Sequence, residues 1–187
     1  MVEKIKLNAM DNKLDIRREV RRRVSELSVE QKAEAARDIF ERVEHLDAFV
    51  GAGCVAGYAA MRDEVPTAEI LDRWLAMGKR VVVPRVEGDV MHFYDYSPTA
   101  MQSGAFGISK PTSDNPCSAA DIDLIVVPAR AFTISGIRLG RGGGFYDKYM
   151  SMQNFRAYKV GVAFLCQRFD ELPFDNHDIT VDKVIFG

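Results

Sequence analysis

Three short apolar runs constrain the fold of this chain more than any other feature of its sequence. They are residues 54–60, 80–84 (RVVVP) and 123–128 (DLIVVP), and each is unbroken rather than alternating. A strand that is buried on both faces has this pattern, because neither set of its side chains meets water. Helical segments separate the runs, so we predict an α/β fold: a Rossmann-like, three-layer α/β/α sandwich around a mostly parallel sheet.

The segments around these runs predict the remaining elements. Residues 13–27 carry apolar side chains at roughly helical spacing, and Ser28 with Gln31 has the pattern of a capping box that opens a second helix. Thr67 is a candidate cap for a helix that runs through Ala76. Further strands are predicted at residues 90–96, 158–164 and 181–186, and the apolar side of the second helix is expected to include Val29, Ala33, Ala36, Phe40 and Val43.

Size, charge and cysteine content narrow the classes of protein to consider. The 187 residues fit one domain over residues 1–187, and the net charge of −2 does not favour binding to nucleic acid or to an anionic membrane. No stretch approaches the roughly 18 apolar residues of a membrane span, and the first residues lack a signal-peptide pattern. The three cysteines form no CxxC pair, so neither disulfides nor a zinc site is indicated. We therefore expect a cytoplasmic protein, with a monomer as the default state.

A glycine-rich segment follows the 123–128 run and has the composition of a phosphate-binding turn. Residues 138–147 (RLGRGGGFYD) hold four glycines in five positions. Glycine lets backbone N–H groups approach a phosphate, and a helix N-terminus adds partial positive charge. Arg138 and Arg141 can offer paired donors to phosphate oxygens, and Asp147 is a candidate magnesium ligand. The segment matches neither the P-loop nor the dinucleotide fingerprint, so a tight turn with solvated arginines stays open.

Two other groups of charged residues are candidates for ligand binding. Lys13 and Arg17 share a face of the first predicted helix and could reach a polyphosphate. A solvated face and a nucleic-acid patch are the alternatives there. Asp63 and Glu64 follow the first apolar run and could bind a polar ligand, and Asp178 could be a second magnesium ligand. An ordinary polar turn would explain Asp63 and Glu64 equally well, and for Asp178 the local sequence by itself favours such a turn.

Taken together, these motifs resemble those of the 5-formyltetrahydrofolate cyclo-ligase family, also called methenyltetrahydrofolate synthetases. The segment RLGRGGGFYD is similar to the family's signature, and Lys13 with Arg17 is similar to its K-x-x-x-R element. Other segments recur in similar order and spacing: MRDEVPT, RVVVPRV, FGISKP, DLIVVPARAF, GVAF with Gln167, and LPFDNHD. The similarity extends from about Lys13 to the end of the sequence.

The resemblance implies an ATP-dependent ligase of one-carbon metabolism. Such an enzyme converts 5-formyltetrahydrofolate and ATP to 5,10-methenyltetrahydrofolate, ADP and phosphate, with Mg²⁺ as cofactor. Carried over by position, the ATP-binding residues would be Lys13, Arg17, Arg138, Leu139, Gly140, Arg141, Gly142, Gly143, Gly144, Phe145 and Tyr146. The folate-binding residues would be Ala59, Glu64, Arg141, Phe145 and Tyr146. The resemblance further implies that Asp147 and Asp178 hold the metal.

Three residues depart from the family pattern. Gly143 stands where many members carry lysine, Lys110 stands where glutamate is usual, and Thr133 stands where aspartate is usual. The first two departures keep open a second hypothesis, a relative that binds folate or nucleotide with weakened catalysis. A nucleic-acid-binding protein that uses the basic first helix is a third hypothesis.

Overall fold

A six-stranded sheet with the order β10-β9-β6-β1-β2-β3 forms the centre of the molecule. The computed structural model describes residues 12–103 and 109–187, so the first eleven residues and the start of the FGISKP segment lie outside it. The strands are β1 (Cys54–Ala56), β2 (Arg80–Glu87), β3 (Val90–Asp95), β6 (Leu124–Pro128), β9 (Tyr158–Ala163) and β10 (Lys183–Phe186). Five of these strands run parallel, and β3 pairs antiparallel with β2. The predicted mostly parallel sheet is therefore confirmed.

Five α-helices accompany the sheet in the described part of the chain. They are α1 (Lys13–Ser25), α2 (Val29–Glu44), α3 (Asp47–Val50), α4 (Ala68–Ala76) and α5 (Phe145–Met150). The predicted capping box opens α2: the Ser28 side chain accepts from the Gln31 N–H, and the Gln31 side chain accepts from the Ser28 N–H. None of the helices in the described residues has both the length and the hydropathy that a membrane span requires.

Both faces of the sheet are buried, which explains the unbroken apolar runs. Val55, Val81 and Leu124 pack on one side with α1, α2 and α4. Their neighbours Ala56, Val82 and Ile125 pack on the other side, together with α5 residues Tyr149 and Met150. Successive residues of a strand point to opposite faces, so a strand covered on both faces needs apolar side chains throughout. The expected α/β/α layers are confirmed.

The buried face of α2 differs from the predicted face at its first turn. Val29 is 79% exposed, because it is the first residue of the helix and lies beside the capping box rather than against the sheet. The buried residues are Ala36, Ile39, Phe40 and Val43, and Ile39 was not among those expected. Burying Ile39, Phe40 and Val43 contributes about 1.5–3 kcal/mol for each side chain.

Two small hairpins complete the described fold. β4 (Met101–Ser103) pairs antiparallel with β5 (Ser109–Pro111). β7 (Ala131–Phe132) pairs antiparallel with β8 (Arg138–Leu139), directly after β6. The second hairpin leads directly into the glycine-rich segment, which precedes α5.

Candidate active site

The order of the strands marks one crevice as the natural ligand site. From β1 the chain moves to β2 and β3 on one side, then returns to β6 beside β1 and continues outward through β9 and β10 on the other. In open α/β sheets, ligands bind beyond the carboxyl ends of the strands at the point where this direction reverses. The loops that leave β1 and β6 both start at that point, and they carry the candidate residues.

The loop after β1 holds its acidic residues in a fixed turn. The buried Tyr58 hydroxyl donates to the Val65 carbonyl over 2.9 Å, and the Thr67 hydroxyl donates to the Tyr58 carbonyl. Thr67 is the N-cap residue of α4, but its side chain serves this loop instead of capping the helix. The Met61 N–H donates to Glu64 Oε2 over 2.9 Å. The Glu64 carboxylate is thus oriented by the backbone of its own turn.

The loop after β6 is fixed by a buried glutamine from a distant segment. Gln167 Nε2 donates to the carbonyls of Ala129 and Arg130 at 3.1 and 2.9 Å, while its Oε1 accepts from the Phe164 N–H at 2.9 Å. Thr133, one of the three departures, is also buried, and its hydroxyl accepts from the Ile137 N–H over 3.1 Å inside the β7–β8 hairpin. These bonds anchor the hairpin that precedes the glycines.

The glycine turn uses backbone conformations that other residues rarely adopt. Gly142 and Gly144 have φ angles of 108° and 66°. Gly143 lies under the Phe145 ring: a Cβ atom there would come within 2.7 Å of Cε2 of that ring. A lysine at position 143 would therefore require Phe145 to move. Because α5 has only six residues, an anion at this turn would depend on the backbone N–H groups of the turn and on the surrounding cations.

Arg141 joins the glycine turn to the loop after β1. Its Nε and Nη2 atoms lie 2.9 and 2.8 Å from Glu64 Oε1, and Nη2 also contacts Asp63 Oδ1. The second carboxylate oxygen of Asp63 pairs with the guanidinium of the buried Arg130. Burial favours the protonated form of Asp63, but the hydrogen bonds from Arg141 and Arg130 outweigh it and lower the pKa of this carboxyl. The crevice therefore contains an alternating row of cations and anions.

A second cluster of cations lies on the α1 side of the turn. Arg17 Nε donates to the Gly140 carbonyl over 2.8 Å, and its guanidinium lies close enough to Gly142 that a Cβ there would be 3.7 Å from Cζ. Lys13 Nζ is 2.6 Å from Asp175 Oδ2 and 3.0 Å from Asp178 Oδ2. The hydrogen bond to Asp175 is the main cause that raises the pKa of Lys13. Lys13 and Arg17 thus reach the segments that were predicted to bind metal and phosphate.

The two predicted metal ligands have different surroundings. Asp147 pairs with the buried Arg138, and its Oδ1 atom accepts from the Ile179 N–H over 2.8 Å. Asp178 Oδ2 accepts from the Asp175 N–H as well as from Lys13. Among the described residues, Asp175, His177 and Asp178 offer ligand atoms within 4.8 Å of one another, and Asp147 lies outside this group. Carboxylate oxygens suit magnesium, so the donor chemistry of the two aspartates fits the ion.

The aromatic residues of the glycine-rich segment are partly buried against the sheet. Phe145 and Tyr146 pack on the same core as Tyr149. Burial, together with the nearby Glu64 carboxylate, raises the pKa of the Tyr146 phenol well above its usual value. Leu139 is 2% exposed and points into the core, so this residue can face a ligand only through its backbone. Ala59 lies half-buried in the loop after β1.

Comparison with known proteins identifies the family. Residues 9–187 match the model of the 5-formyltetrahydrofolate cyclo-ligase family. The chain belongs to this family. A cyclo-ligase from Haemophilus influenzae is 29% identical over 92% of this chain and 96% of its own length. The Escherichia coli K12 cyclo-ligase is 30% identical over 89% of this chain and 95% of its own length.

A solved structure supports the same assignment. The NMR structure of Aquifex aeolicus 5,10-methenyltetrahydrofolate synthetase has a TM-score of 0.82 and 32% identity, and the match covers 93% of this chain and 89% of that one. The cyclo-ligase fold is therefore confirmed, and the chain is an enzyme of the ligase class.

Within this cyclo-ligase, the structure brings most of the predicted residues to one crevice. Arg17 meets the glycine turn, Arg141 meets Glu64, and Lys13 meets Asp178. Lys110 is exposed on the β5 strand, opposite Gln102. Two residues of the network escaped the sequence analysis, namely Arg130 and Asp175. A charged residue inside the apolar segment DLIVVPARAF was the available signal for Arg130.

Three of the four remaining arginines of α1, namely Arg18, Arg22 and Arg23, form ion pairs with neighbouring carboxylates. Arg22 pairs with Glu19 and Glu26, and Arg18 pairs with Asp15. A surface that contacts nucleic acid needs positive charge that is free to meet phosphates. These pairs weaken the hypothesis of a nucleic-acid-binding helix.

Proposed function

We propose that this cyclo-ligase converts 5-formyltetrahydrofolate and ATP to 5,10-methenyltetrahydrofolate, ADP and phosphate in the crevice between the loops after β1 and β6. The observation that carries the proposal is the contact between Arg141 and Glu64. It puts the glycine turn, which suits a triphosphate, against the carboxylate that would bind folate. A γ-phosphate and a formyl group held on these two loops would be neighbours.

The chemistry needs activation of a poor leaving group. The formyl oxygen on N5 attacks the γ-phosphorus, the bond to ADP breaks, and an iminium-like phosphate intermediate forms. The N10 amine then adds to the formyl carbon, loses its proton and closes the five-membered ring. Phosphate departs with the original formyl oxygen. The protein mainly has to position the two substrates and stabilise charge on the phosphoryl oxygens.

The cations of the crevice have the roles that this chemistry requires. Arg17 and the backbone N–H groups of the glycine turn would bind the triphosphate, and Lys13 would exchange its aspartate partners for phosphate oxygens. Arg138 would hold Asp147 in place. Magnesium, when bound by Asp147 and Asp178, would neutralise part of the phosphate charge.

Glu64 would bind the pterin ring of the folate. The N–H groups of a pterin ring are hydrogen-bond donors, and a carboxylate can accept two of them side by side. Ala59, Phe145 and Tyr146 would form the walls around the ring. The Phe145 ring lies against Gly143 of the glycine turn, and Tyr146 lies near Glu64, which supports this role.

An absorbance assay tests the proposal directly. The purified chain with Mg²⁺, ATP and 5-formyltetrahydrofolate is expected to generate the near-ultraviolet absorbance of the methenyl product, and omission of ATP is expected to abolish it. Glu64→Gln should raise KM for the folate about 10- to 100-fold, the equivalent of one charge-assisted hydrogen bond. Asp95→Asn, at an exposed ion pair with Arg80 on the far edge of the sheet, is the matched control. A wild-type chain that forms no product would overturn the proposal.

A second candidate is a relative that binds its ligands without turning them over. Gly143 favours it, because the turn lacks the lysine of many members and the Phe145 ring occupies the space above the glycine. Calorimetric titration with ATP and folate, run beside the absorbance assay, separates the two candidates. Binding heat without product would support the second, and robust turnover would eliminate it.

We further propose that the enzyme works as a cytoplasmic monomer on small molecules alone, without nucleic-acid or membrane partners. Its net charge of −2 and the ion pairs of Arg18 and Arg22 on α1 support this. Light scattering should return a mass near 20.9 kDa. A gel shift with DNA or RNA at low salt would contradict it.

A further inference from the structure

Arg130 is a buried cation that depends on a single carboxylate. The residue is 6% exposed, and Asp63 is the carboxylate that pairs with its guanidinium within residues 12–103 and 109–187. Its backbone is fixed on both sides, since its N–H donates to the Leu139 carbonyl and its carbonyl accepts from Gln167. A buried charge without a partner is strongly destabilising, so Arg130 holds Asp63 in one position.

Asp63 in turn holds Arg141 in place. One oxygen of Asp63 contacts Arg130, and the other contacts Arg141 Nη2. Arg141 also has Nε and Nη2 on a single oxygen of Glu64. Arg141 therefore lies between two carboxylates. Asp63 is held by the buried Arg130, whereas Glu64 must become available to the folate.

We propose that Asp63 is a positioning residue that keeps Arg141 at the glycine turn when Glu64 engages the folate. The inference rests on the function proposed above. Without Asp63, Glu64 would be the only carboxylate of the described residues in contact with Arg141, and the guanidinium would compete with the folate for it. With Asp63 present, Arg141 keeps a partner and remains beside the phosphate-binding turn.

This role predicts a particular kinetic pattern. Loss of Asp63 should raise KM for the folate, because Arg141 then stays on Glu64. It should also lower kcat, because the guanidinium is less often at the glycine turn. We expect kcat/KM for the folate to fall about 10- to 100-fold, the equivalent of one lost hydrogen bond between charged groups. A residue that only stabilised the fold would change neither constant in the folded enzyme.

A pair of variants separates positioning from simple neutralisation of Arg130. Asp63→Ala alone leaves a buried cation unpaired and should lower the thermal midpoint. Asp63→Ala combined with Arg130→Met removes the cation and its partner together, and should bring the midpoint back to that of the wild type. The double variant is expected to keep the kinetic defect. Wild-type kinetics in the double variant would overturn the proposal.

A spectroscopic measurement reads the position of Arg141 without any turnover. With ¹⁵N-labelled arginine and saturating 5-formyltetrahydrofolate but no ATP, the Nη2–H signal of Arg141, assigned through Arg141→Lys, should be sharp in the wild type, because Asp63 still holds Nη2 when Glu64 engages the folate. It should broaden or vanish in the double variant and persist in Asp95→Asn. An unchanged signal in the double variant would overturn the inference. If the wild type makes no product, the proposed reaction fails, and this signal still decides the role of Asp63.

Discussion

Gly144 lies at the junction between the glycine turn and α5, with a left-handed φ of 66°. A Cβ atom would meet nothing within 4 Å there, so space does not require glycine at this position. The backbone conformation does, because an ordinary side chain pays about 1–2 kcal/mol in the left-handed region, whereas asparagine tolerates it.

Gly144→Ala should therefore destabilise the protein by about 1–2 kcal/mol, and Gly144→Asn by clearly less. The alanine variant should also raise KM for ATP, since relief of the strain displaces the backbone N–H groups of the turn. Urea unfolding and steady-state kinetics measure the two effects. If both variants lost the same free energy of unfolding, the left-handed φ angle would not be the reason why position 144 requires glycine.

At the residue scale, the candidate site residues that the sequence offered are those that belong to compact motifs. Residues that are close together in the sequence form a recognisable pattern. This applies to the glycine turn, to Glu64 and to the pair Lys13 and Arg17. It does not apply to Arg130, because its importance comes from a partner 67 residues away. Ion pairs between distant loops leave no local pattern, so only the fold can reveal them.

At the scale of one element, α1 has a charged network that should make its stability depend on pH. Hydrogen bonds from Arg22 and Arg23 lower the pKa of Glu19 from 4.5 to about 2. Since the pKa is lower in the folded state, the stabilisation is complete above pH 4.5 and is lost as the pH falls toward 2. Arg23 also lies over the Phe169 ring at 5.2 Å, which fixes one partner of the network.

Glu19→Gln should cost about 1 kcal/mol at pH 7, the sum of two helix ion pairs with partial exposure. The difference from the wild type should shrink as the pH is lowered from 4.5 to 2. Urea unfolding at several pH values measures it, with Glu34→Gln on the exposed side of α2 as the matched control. A cost that does not change with pH would exclude the carboxylate charge as its source.

Elements were predictable where a pattern repeats over several residues. The runs at 80–84 and 123–128 became β2 and β6, and the capping box became the start of α2. The β7–β8 hairpin was not predicted, because strands of two residues are too short for any period to appear. Its pairing depends on tertiary bonds such as those of Gln167.

At the scale of the whole molecule, the sheet joins both halves of the chain, and we expect them to unfold as one unit. Heating should give a single unfolding transition.

ATP with Mg²⁺ at a hundred times its Kd should stabilise the folded state by about 2.7 kcal/mol. Removal of the metal with a chelator should abolish most of this gain. A shift of the same size without Mg²⁺ would contradict the metal roles of Asp147 and Asp178.

The crevice is assembled almost entirely from partners that are remote in the sequence. Arg17 and Gly140 are 123 positions apart, and Lys13 and Asp178 are 165 positions apart. Contacts that span such loops are costly in chain entropy, and they cannot form until the intervening strands have docked. A fragment that ends before Gly140 would hold neither of these two contacts. Nucleotide affinity during refolding should therefore appear last, as a signal that folding is complete.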